Sequence, residues 1–175
     1  MSQERNFKEI LPEISTFLFD VDGVFTDNRV ILLPGTDPVR TFNTRDAYAV
    51  QLAVKEGYRI IIVSGGTSQG VRDSFDRLGV REVFLGTSNK VERFTELVRS
   101  GLDPKGCAYM GDDIPDQRVM ERVALPACPA DAAEEIKAIS AFHSRYVGGA
   151  GCVRDLLEQA MRVQNKWRTD SAYTW

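Results

Sequence analysis

Short apolar runs that do not alternate with polar residues are the feature that most constrains the fold of this chain. Such runs, bounded by glycine or proline, are typical of strands that are buried on both faces of a sheet. They are STFLFD (15–20), YRIIIVSGG (58–66), REVFLG (81–86), GCAYMGDD (106–113) and a weaker ALPACP (124–129). The sequence therefore predicts five buried strands.

Helix-like segments separate these strands. In residues 68–79 the apolar positions Val71, Phe75 and Leu78 share one face and Gly79 ends the pattern. Strand alternating with helix predicts an α/β, three-layer Rossmann-like fold, in which helices cover both faces of a parallel sheet. A length of 175 residues suits a single domain over 1–175, with a C-terminal helix and tail at about 152–175.

The segment NRVILLPGTDPVRTFN (28–43) interrupts the alternation of strand and helix. Two β-rich arms flank the turn-forming PGTDP, which predicts a protruding β-hairpin. The apolar residues Val30 to Leu33 are many for an exposed hairpin, and an isolated hairpin is only marginally stable. We therefore expect this hairpin to pack on something else.

Polar residues follow three of the predicted strands at the point where each strand ends. In a parallel sheet, ligands bind at the carboxyl ends of the strands, so these residues are expected to meet in one site. They are Asp20 and Asp22 after the first run, Ser64 and Gly65 after the second, and Gly111, Asp112 and Asp113 after the fourth.

Asp20 and Asp22 lie one residue apart, and their carboxylates repel each other unless a positive charge lies between them. Together with Asp112 they offer the hard oxygen ligands that Mg²⁺ prefers, and Mg²⁺ commonly accompanies phosphate substrates. Lys90 offers a point charge to a phosphate oxygen, and Ser64 with its following glycines offers a hydroxyl and backbone N–H groups. The pattern favours a phosphate site with an attacking aspartate and a second acid that exchanges protons.

Composition narrows the class of partner. The formal net charge is −3, which gives no reason to expect nucleic acid or an anionic membrane as a partner. The N-terminal segment is polar and no run is long enough to span a membrane, so we expect a cytoplasmic protein. Three widely spaced cysteines fit free thiols in a reducing compartment.

The motifs D-x-D-G-x-x-T, S-G, K and G-D-D-x-x-D, in this order, resemble those of the haloacid dehalogenase superfamily of aspartate-nucleophile phosphatases. Longer stretches, among them FNTRDAYAVQLAVKEGY, LGTSNKVERF and YMGDDIPDQRVMERV, are similar to the 3-deoxy-D-manno-octulosonate 8-phosphate phosphatases. The resemblance covers about residues 14–167.

This resemblance implies a role for each matching residue. Asp20 is expected to be the nucleophile and a metal ligand, and Asp112 a further metal ligand. Asp22 is expected to be the general acid and base, and to bind Mg²⁺ through its backbone carbonyl. The other implied assignments are phosphate binding by Ser64, Gly65 and Lys90, substrate binding by Asn43, Arg45 and Asp46, and support of the site by Thr26, Asp113 and Asp116.

Two positions depart from the family pattern. Gly66 stands where members often carry an arginine, and Ala47 stands where a glycine often follows the Arg-Asp pair. Arg72 is a candidate to replace the missing charge, although an exposed helix arginine is the alternative reading. Arg154 lies near a predicted helix start and can meet an anion in its own or an adjacent site.

The spacing of the motifs leaves no room for the cap domain that covers the site in many relatives. Residues 21–63 hold only the hairpin and one helix, and residues 65–89 hold one helix and one strand. Because phosphoryl transfer benefits from the exclusion of water, a neighbouring subunit is the expected cover. The resemblance implies a homotetramer assembled through the hairpin.

The leading hypothesis is a Mg²⁺-dependent phosphatase that hydrolyses 3-deoxy-D-manno-octulosonate 8-phosphate through an aspartyl-phosphate, in lipopolysaccharide precursor synthesis. A nine-carbon sialic-type sugar acid 9-phosphate is an alternative substrate for the same chemistry, because Gly66 leaves the assignment open. A non-catalytic oligomerisation module is a further alternative, but it gives no reason for every chemical group to be present.

Overall fold

The computed structural model describes residues 6–174 and has one six-stranded parallel sheet at its centre. The strands are β1 Thr16–Phe19, β2 Arg59–Val63, β3 Glu82–Phe84, β4 Cys107–Met110, β5 Leu125–Cys128 and β6 Phe142–His143. Their order is β3-β2-β1-β4-β5-β6, and every neighbouring pair runs parallel. The predicted α/β class is confirmed, and β6 is a short strand that the sequence pattern did not indicate.

Helices cover both faces of this sheet. They are α1 Phe7–Ile10, α2 Thr44–Lys55, α3 Gln69–Arg77, α4 Lys90–Arg99, α5 Ile114–Met120, α6 Glu134–Ile139 and α7 Cys152–Val163. Phe17 and Phe19 of β1 pack with α2, α3 and α7, whereas Leu18 packs on the opposite face with α4, α5 and α6. Two apolar cores therefore hold β1 rigidly between them, and no separate cap domain is evident in the described chain.

Polar side chains fix where the helices begin. Asn43 accepts the backbone N–H of Arg45 at 2.9 Å, and Asn89 accepts that of Glu92 at 3.1 Å. Each of these side chains satisfies a donor that the first helical turn leaves free. The cap at Asn89 makes Lys90 the first residue of α4, at the carboxyl edge of the sheet.

The predicted hairpin at 28–43 is not confirmed as a pair of strands. One antiparallel bridge joins Ile31 and Val39, with both N–H···O distances at 3.0 Å. The apolar side chains of Val30 to Leu33 are exposed, Leu32 by 74%. Because few contacts hold the two arms together, a single chain gives this segment little reason to form a regular ladder.

The C-terminal tail packs on α2. Trp167 is buried and its ring meets that of Tyr48 edge to face at 6.3 Å between centroids, while the Tyr48 hydroxyl donates to the carbonyl of Ala172 at 2.6 Å. Tyr173 is exposed and Trp175 lies outside the described residues. Over residues 6–174, no helix is both long enough and apolar enough to cross a bilayer.

Candidate active site

The carboxyl ends of three central strands bring the predicted residues to one edge of the sheet. β1 pairs with β2 on one side and β4 on the other, so Asp20 lies between Ser64 and Asp112. An open cleft of about 930 Å³ occupies this edge, and its lining includes Asp20, Asp22, Ser64, Gly65 and Lys90. The motifs that are far apart in sequence therefore share one site.

Asp20 is held in a defined orientation. Its Oδ1 accepts the backbone N–H of Val21 at 2.7 Å, and its Oδ2 lies 2.8 Å from Nζ of Lys90. Burial and the charge of Asp116 together raise the pKa of Asp20 to about 7, although Lys90 opposes both effects. A fixed carboxylate beside a lysine suits nucleophilic attack on a phosphate, while its raised pKa indicates that the site is short of positive charge.

Lys90 bridges two carboxylates. Its Nζ lies 2.7 Å from Oδ1 of Asp116 as well as 2.8 Å from Asp20, and its side chain is only 7% exposed. Burial alone favours the neutral amine, but the two carboxylates outweigh it and raise the pKa of Lys90. Asp116 also accepts the buried hydroxyl of Tyr109 at 2.6 Å and the backbone N–H of Asp112 at 3.3 Å. Asp116 therefore positions both Lys90 and the Asp112 backbone.

A metal ion fits beside these carboxylates. One oxygen from each of Asp20, Asp112 and Asp116 lies within 4.8 Å of the others. Burial is the main cause that raises the pKa of Asp112 to about 6, against the opposing effect of the Asn28 amide, which donates to its Oδ2 at 2.8 Å. Three carboxylates around a single lysine leave negative charge for a cation to balance, and hard oxygen donors are the ligands that Mg²⁺ prefers. Asp116, which the sequence indicated as a supporting residue, contributes the third side chain of this cluster.

Asp22 turns its carboxylate towards Arg40. Arg40 Nε lies 2.7 Å from Oδ1 and Nη2 lies 3.0 Å from Oδ2, which makes a bidentate ion pair. Thr26 Oγ1 lies 3.4 Å from the same Oδ1 and accepts the backbone N–H of Gly23 at 3.2 Å. Thr26 therefore lies against the Asp22 carboxylate, and its supporting role stays a prediction. The metal contact predicted for Asp22 uses its backbone carbonyl, which takes no part in this ion pair, and it stays a prediction.

The predicted substrate segment lies apart from the cleft. Asp46 is fully buried, and its Oδ1 accepts the backbone N–H of Arg154 at 2.7 Å. Asn43 caps α2 and donates to the carbonyl of Gly149 at 3.3 Å. Arg45 and Arg154 line a second cavity of about 590 Å³. Within one chain these four residues do not meet Asp20, and their contact with substrate stays a prediction.

The remaining predicted residues have local partners. Asp113 caps α5 by accepting the backbone N–H of Ile114 at 2.8 Å. Arg154 pairs with Glu158 at 3.1 Å, and its guanidinium lies 5.1 Å from the centre of the Trp167 ring. Arg72 lies on α3, outside the residues that line the cleft.

Sequence reasoning missed three residues of the site. Arg40 comes from the hairpin segment, Asn28 from the turn after β1, and Tyr109 from the middle of β4. Only Asn28 carries a sequence signal, because asparagine is common at left-handed turn positions, and the structure gives Asn28 a φ of 62°. Tyr109 reads as an ordinary core residue until the structure places its hydroxyl on Asp116.

This fold and this aspartate-lined edge define a hydrolase domain of the haloacid dehalogenase superfamily. The 3-deoxy-D-manno-octulosonate 8-phosphate phosphatase KdsC of Escherichia coli K12 is 31% identical over 154 residues, which cover 87% of this chain and 82% of that protein. The chain belongs to the KdsC family of 3-deoxy-D-manno-octulosonate 8-phosphate phosphatases. No protein-family model matches it.

Solved structures support the same relationship. The Yersinia pestis 3-deoxy-D-manno-octulosonate 8-phosphate phosphatase superposes with a TM-score of 0.88 at 27% identity, covering 92% of this chain and 88% of that one. The Moraxella catarrhalis enzyme, in complex with magnesium, phosphate and a KDO molecule, has a TM-score of 0.86 at 26% identity, covering 90% and 91%.

The metal-free protein should lose stability as the pH rises. Because the folded-state pKa values of Asp20 and Asp112, about 7 and about 6, lie above their ordinary value of 3.8, the folded protein binds more protons than the unfolded chain between these limits. Their contribution to stability is therefore greatest at low pH and falls towards pH 7. Bound Mg²⁺ competes with these protons, so it should raise Tm more at about pH 8 than at about pH 5.

Differential scanning fluorimetry with EDTA or with excess Mg²⁺ measures this shift. Asp112→Asn removes one of the two titrating ligands and should shrink the difference between the two pH values. Asp103→Asn, on the surface before β4, is the matched control. An equal Mg²⁺ shift at both pH values would contradict the metal assignment.

Proposed function

We infer that the chain is a Mg²⁺-dependent phosphatase that hydrolyses 3-deoxy-D-manno-octulosonate 8-phosphate to the free sugar acid and phosphate. The observation that carries this inference is the meeting of Asp20 with Lys90 and Asp112 at the edge of the sheet. The substrate is suggested by the relatives in Escherichia coli and Moraxella catarrhalis. The product would serve lipopolysaccharide precursor synthesis.

Asp20 acts as the nucleophile in this proposal. Its carboxylate oxygen forms a bond to phosphorus while the bond from phosphorus to the sugar oxygen breaks, which leaves an aspartyl-phosphate. Asp22 donates a proton to the departing alkoxide, then takes a proton from the water that attacks the same phosphorus. Cleavage of the aspartyl-phosphate returns the Asp20 carboxylate and releases phosphate.

Several residues can bind the negatively charged phosphoryl group as it is transferred. Lys90 is already placed against Asp20 at 2.8 Å and can bind a phosphoryl oxygen from that position. Ser64 offers its hydroxyl, and Gly65, which also lines the cleft, offers a backbone N–H. Asp20 and Asp112 would hold Mg²⁺, with Asp116 beside them. When bound, Mg²⁺ supplies charge that stabilises the phosphoryl oxygens.

Phosphate release from a panel of esters tests this function. We expect the chain with Mg²⁺ to prefer octulosonate 8-phosphate, to stop in EDTA and to recover when Mg²⁺ is restored. A preference for the nine-carbon sugar acid 9-phosphate would make that ester the substrate and would leave the proposed chemistry unchanged. Release from no ester would favour the oligomerisation module instead.

We also propose that the chain is a single cytoplasmic domain and forms a homotetramer through its hairpin segment. A single sheet with a core on each face supports one domain. Three buried free cysteines fit a reducing compartment. The exposed apolar side chains of Val30 to Leu33 support assembly, because monomeric proteins rarely expose such a contiguous patch.

Charges on the hairpin segment should break the tetramer. Ile31 and Leu33 are 58% and 51% exposed, so Ile31→Asp with Leu33→Asp leaves the core of the chain intact. In the assembly the new carboxylates would be buried without partners, at a cost of several kcal/mol per ion. Sedimentation velocity should show dissociation. Val163→Asp, at an exposed position on α7, is the control, and an unchanged profile for the hairpin variant would rule out this interface.

A further inference from the structure

Arg40 belongs to none of the sequence motifs, but its side chain lies in the site. It follows Val39 of the hairpin segment, yet its guanidinium reaches the site and binds both oxygens of Asp22 at 2.7 and 3.0 Å. Its Nη1 donates to the carbonyl of Pro38 at 3.1 Å. The Arg40 side chain is 10% exposed, whereas that of Asp22 is 35% exposed. Arg40 is thus a largely buried cation behind an accessible carboxylate.

Gly66 leaves the space that Arg40 fills. A Cβ at Gly66 would lie 3.0 Å from Nη2 of Arg40, which is tighter than nine in ten contacts of real Cβ atoms. The same point is 3.4 Å from Oδ2 of Asp22 and 3.7 Å from Oγ of Ser64. The guanidinium, the proposed acid and the proposed phosphate-binding hydroxyl therefore converge on one small volume.

The ion pair must open during the reaction. An acid must carry a proton on one oxygen when it meets a leaving group. Both oxygens of Asp22 face N–H groups of Arg40, so one of these contacts must be released first. A buried guanidinium that loses its carboxylate needs another acceptor, because an unpaired buried charge is costly. The anion that enters this volume is the phosphate, and guanidinium binds phosphate in the same bidentate manner.

We propose that Arg40 is a phosphate-binding residue that exchanges the carboxylate of Asp22 for a phosphoryl oxygen of the incoming ester. This inference rests on the proposed function for the identity of the ester and extends it by naming the cation. The exchange couples phosphate binding to the release of Asp22, so the acid becomes available only when a phosphate is present.

Binding of inorganic phosphate tests the proposal without turnover. Isothermal titration calorimetry of the full chain with Mg²⁺ should show affinity falling about tenfold or more in Arg40→Ala, as expected for loss of a hydrogen bond between charged groups. Arg40→Lys keeps the charge without the planar fork and should fall between the two. Arg77→Ala, an exposed arginine on α3, should bind phosphate as the native chain does.

Gly66→Leu tests the same proposal by filling the space that the Arg40 guanidinium occupies. The backbone of Gly66 is not left-handed, so a leucine there meets Arg40 rather than backbone strain. It should weaken phosphate binding as Arg40→Ala does, and the double variant should be no weaker than either alone. Native affinity in Arg40→Ala, or additive losses in the double variant, would overturn the proposal.

Two further results separate this inference from the proposed function. If no ester is hydrolysed but phosphate binding depends on Arg40, the function fails and the site stands. If esters are hydrolysed and phosphate affinity is unchanged in Arg40→Ala, the proposed function holds and the proposed exchange is wrong. Should Arg40→Ala melt early, Arg40→Lys decides, because native affinity in that variant also contradicts a role for the guanidinium fork.

Discussion

Replacing Asp20 by asparagine should lower phosphate release by about 10³-fold or more, because the amide cannot form the aspartyl-phosphate. The fold should survive. An amide oxygen keeps the acceptor for the N–H of Val21, and Lys90 retains its contact with Asp116. Since burial disfavours the charge of Asp20, the metal-free variant should melt no earlier than the native chain.

Steady-state assays on octulosonate 8-phosphate, with Tm by scanning fluorimetry, measure both effects. Asp76→Asn, on the exposed face of α3, makes the same chemical change away from the site and should leave both values unchanged. Acid-quenched reactions with radiolabelled ester should trap phosphate on the native protein and not on Asp20→Asn. Substantial turnover in a purified, folded variant would end the nucleophile assignment.

The sequence predicted the fold because its strands are buried on both faces. A run such as Ile60 to Val63 contains no polar position that would suggest another structure. Glycines with positive φ follow the ends of α3 and α4. β6 was missed because two residues carry no periodicity. The hairpin is not confirmed for a different reason, since β-propensity in Val30 to Leu33 does not supply the partner that a ladder needs, and one bridge joins the two arms.

The residues of the site that follow strand ends could be predicted from the sequence. A residue whose side chain extends into the site from a distant loop could not. Asp20, Ser64 and Asp112 are fixed by the parallel order of the strands, so their meeting follows from topology alone. Arg40 reaches Asp22 from a loop whose path no local pattern dictates. For the same reason the sequence offered Arg72, close along the chain to Gly66, as a candidate for the missing charge. Arg40 is distant from Gly66 in sequence but adjacent to it in space.

Lys90→Met should damage stability and turnover together, because the lysine serves two carboxylates. Its loss leaves Asp20 and Asp116 facing each other in a buried site, and breaking such a pair costs about 3 kcal/mol or more. Turnover should fall by about 10²-fold or more, since a charge-assisted contact to the phosphate is lost and the pKa of Asp20 rises further. Lys105→Met, at an exposed position before β4, is the matched control.

The double variant Lys90→Met with Asp116→Asn separates the two roles. Removing the second carboxylate relieves the repulsion, and an asparagine can still accept the hydroxyl of Tyr109, so Tm should recover by several degrees. Turnover should not recover, because no cation then meets the transferred phosphate. If activity returned along with Tm, Lys90 would be a structural counter-ion of Asp116, and the charge that stabilises the phosphate would have to come from Arg40 and the metal alone.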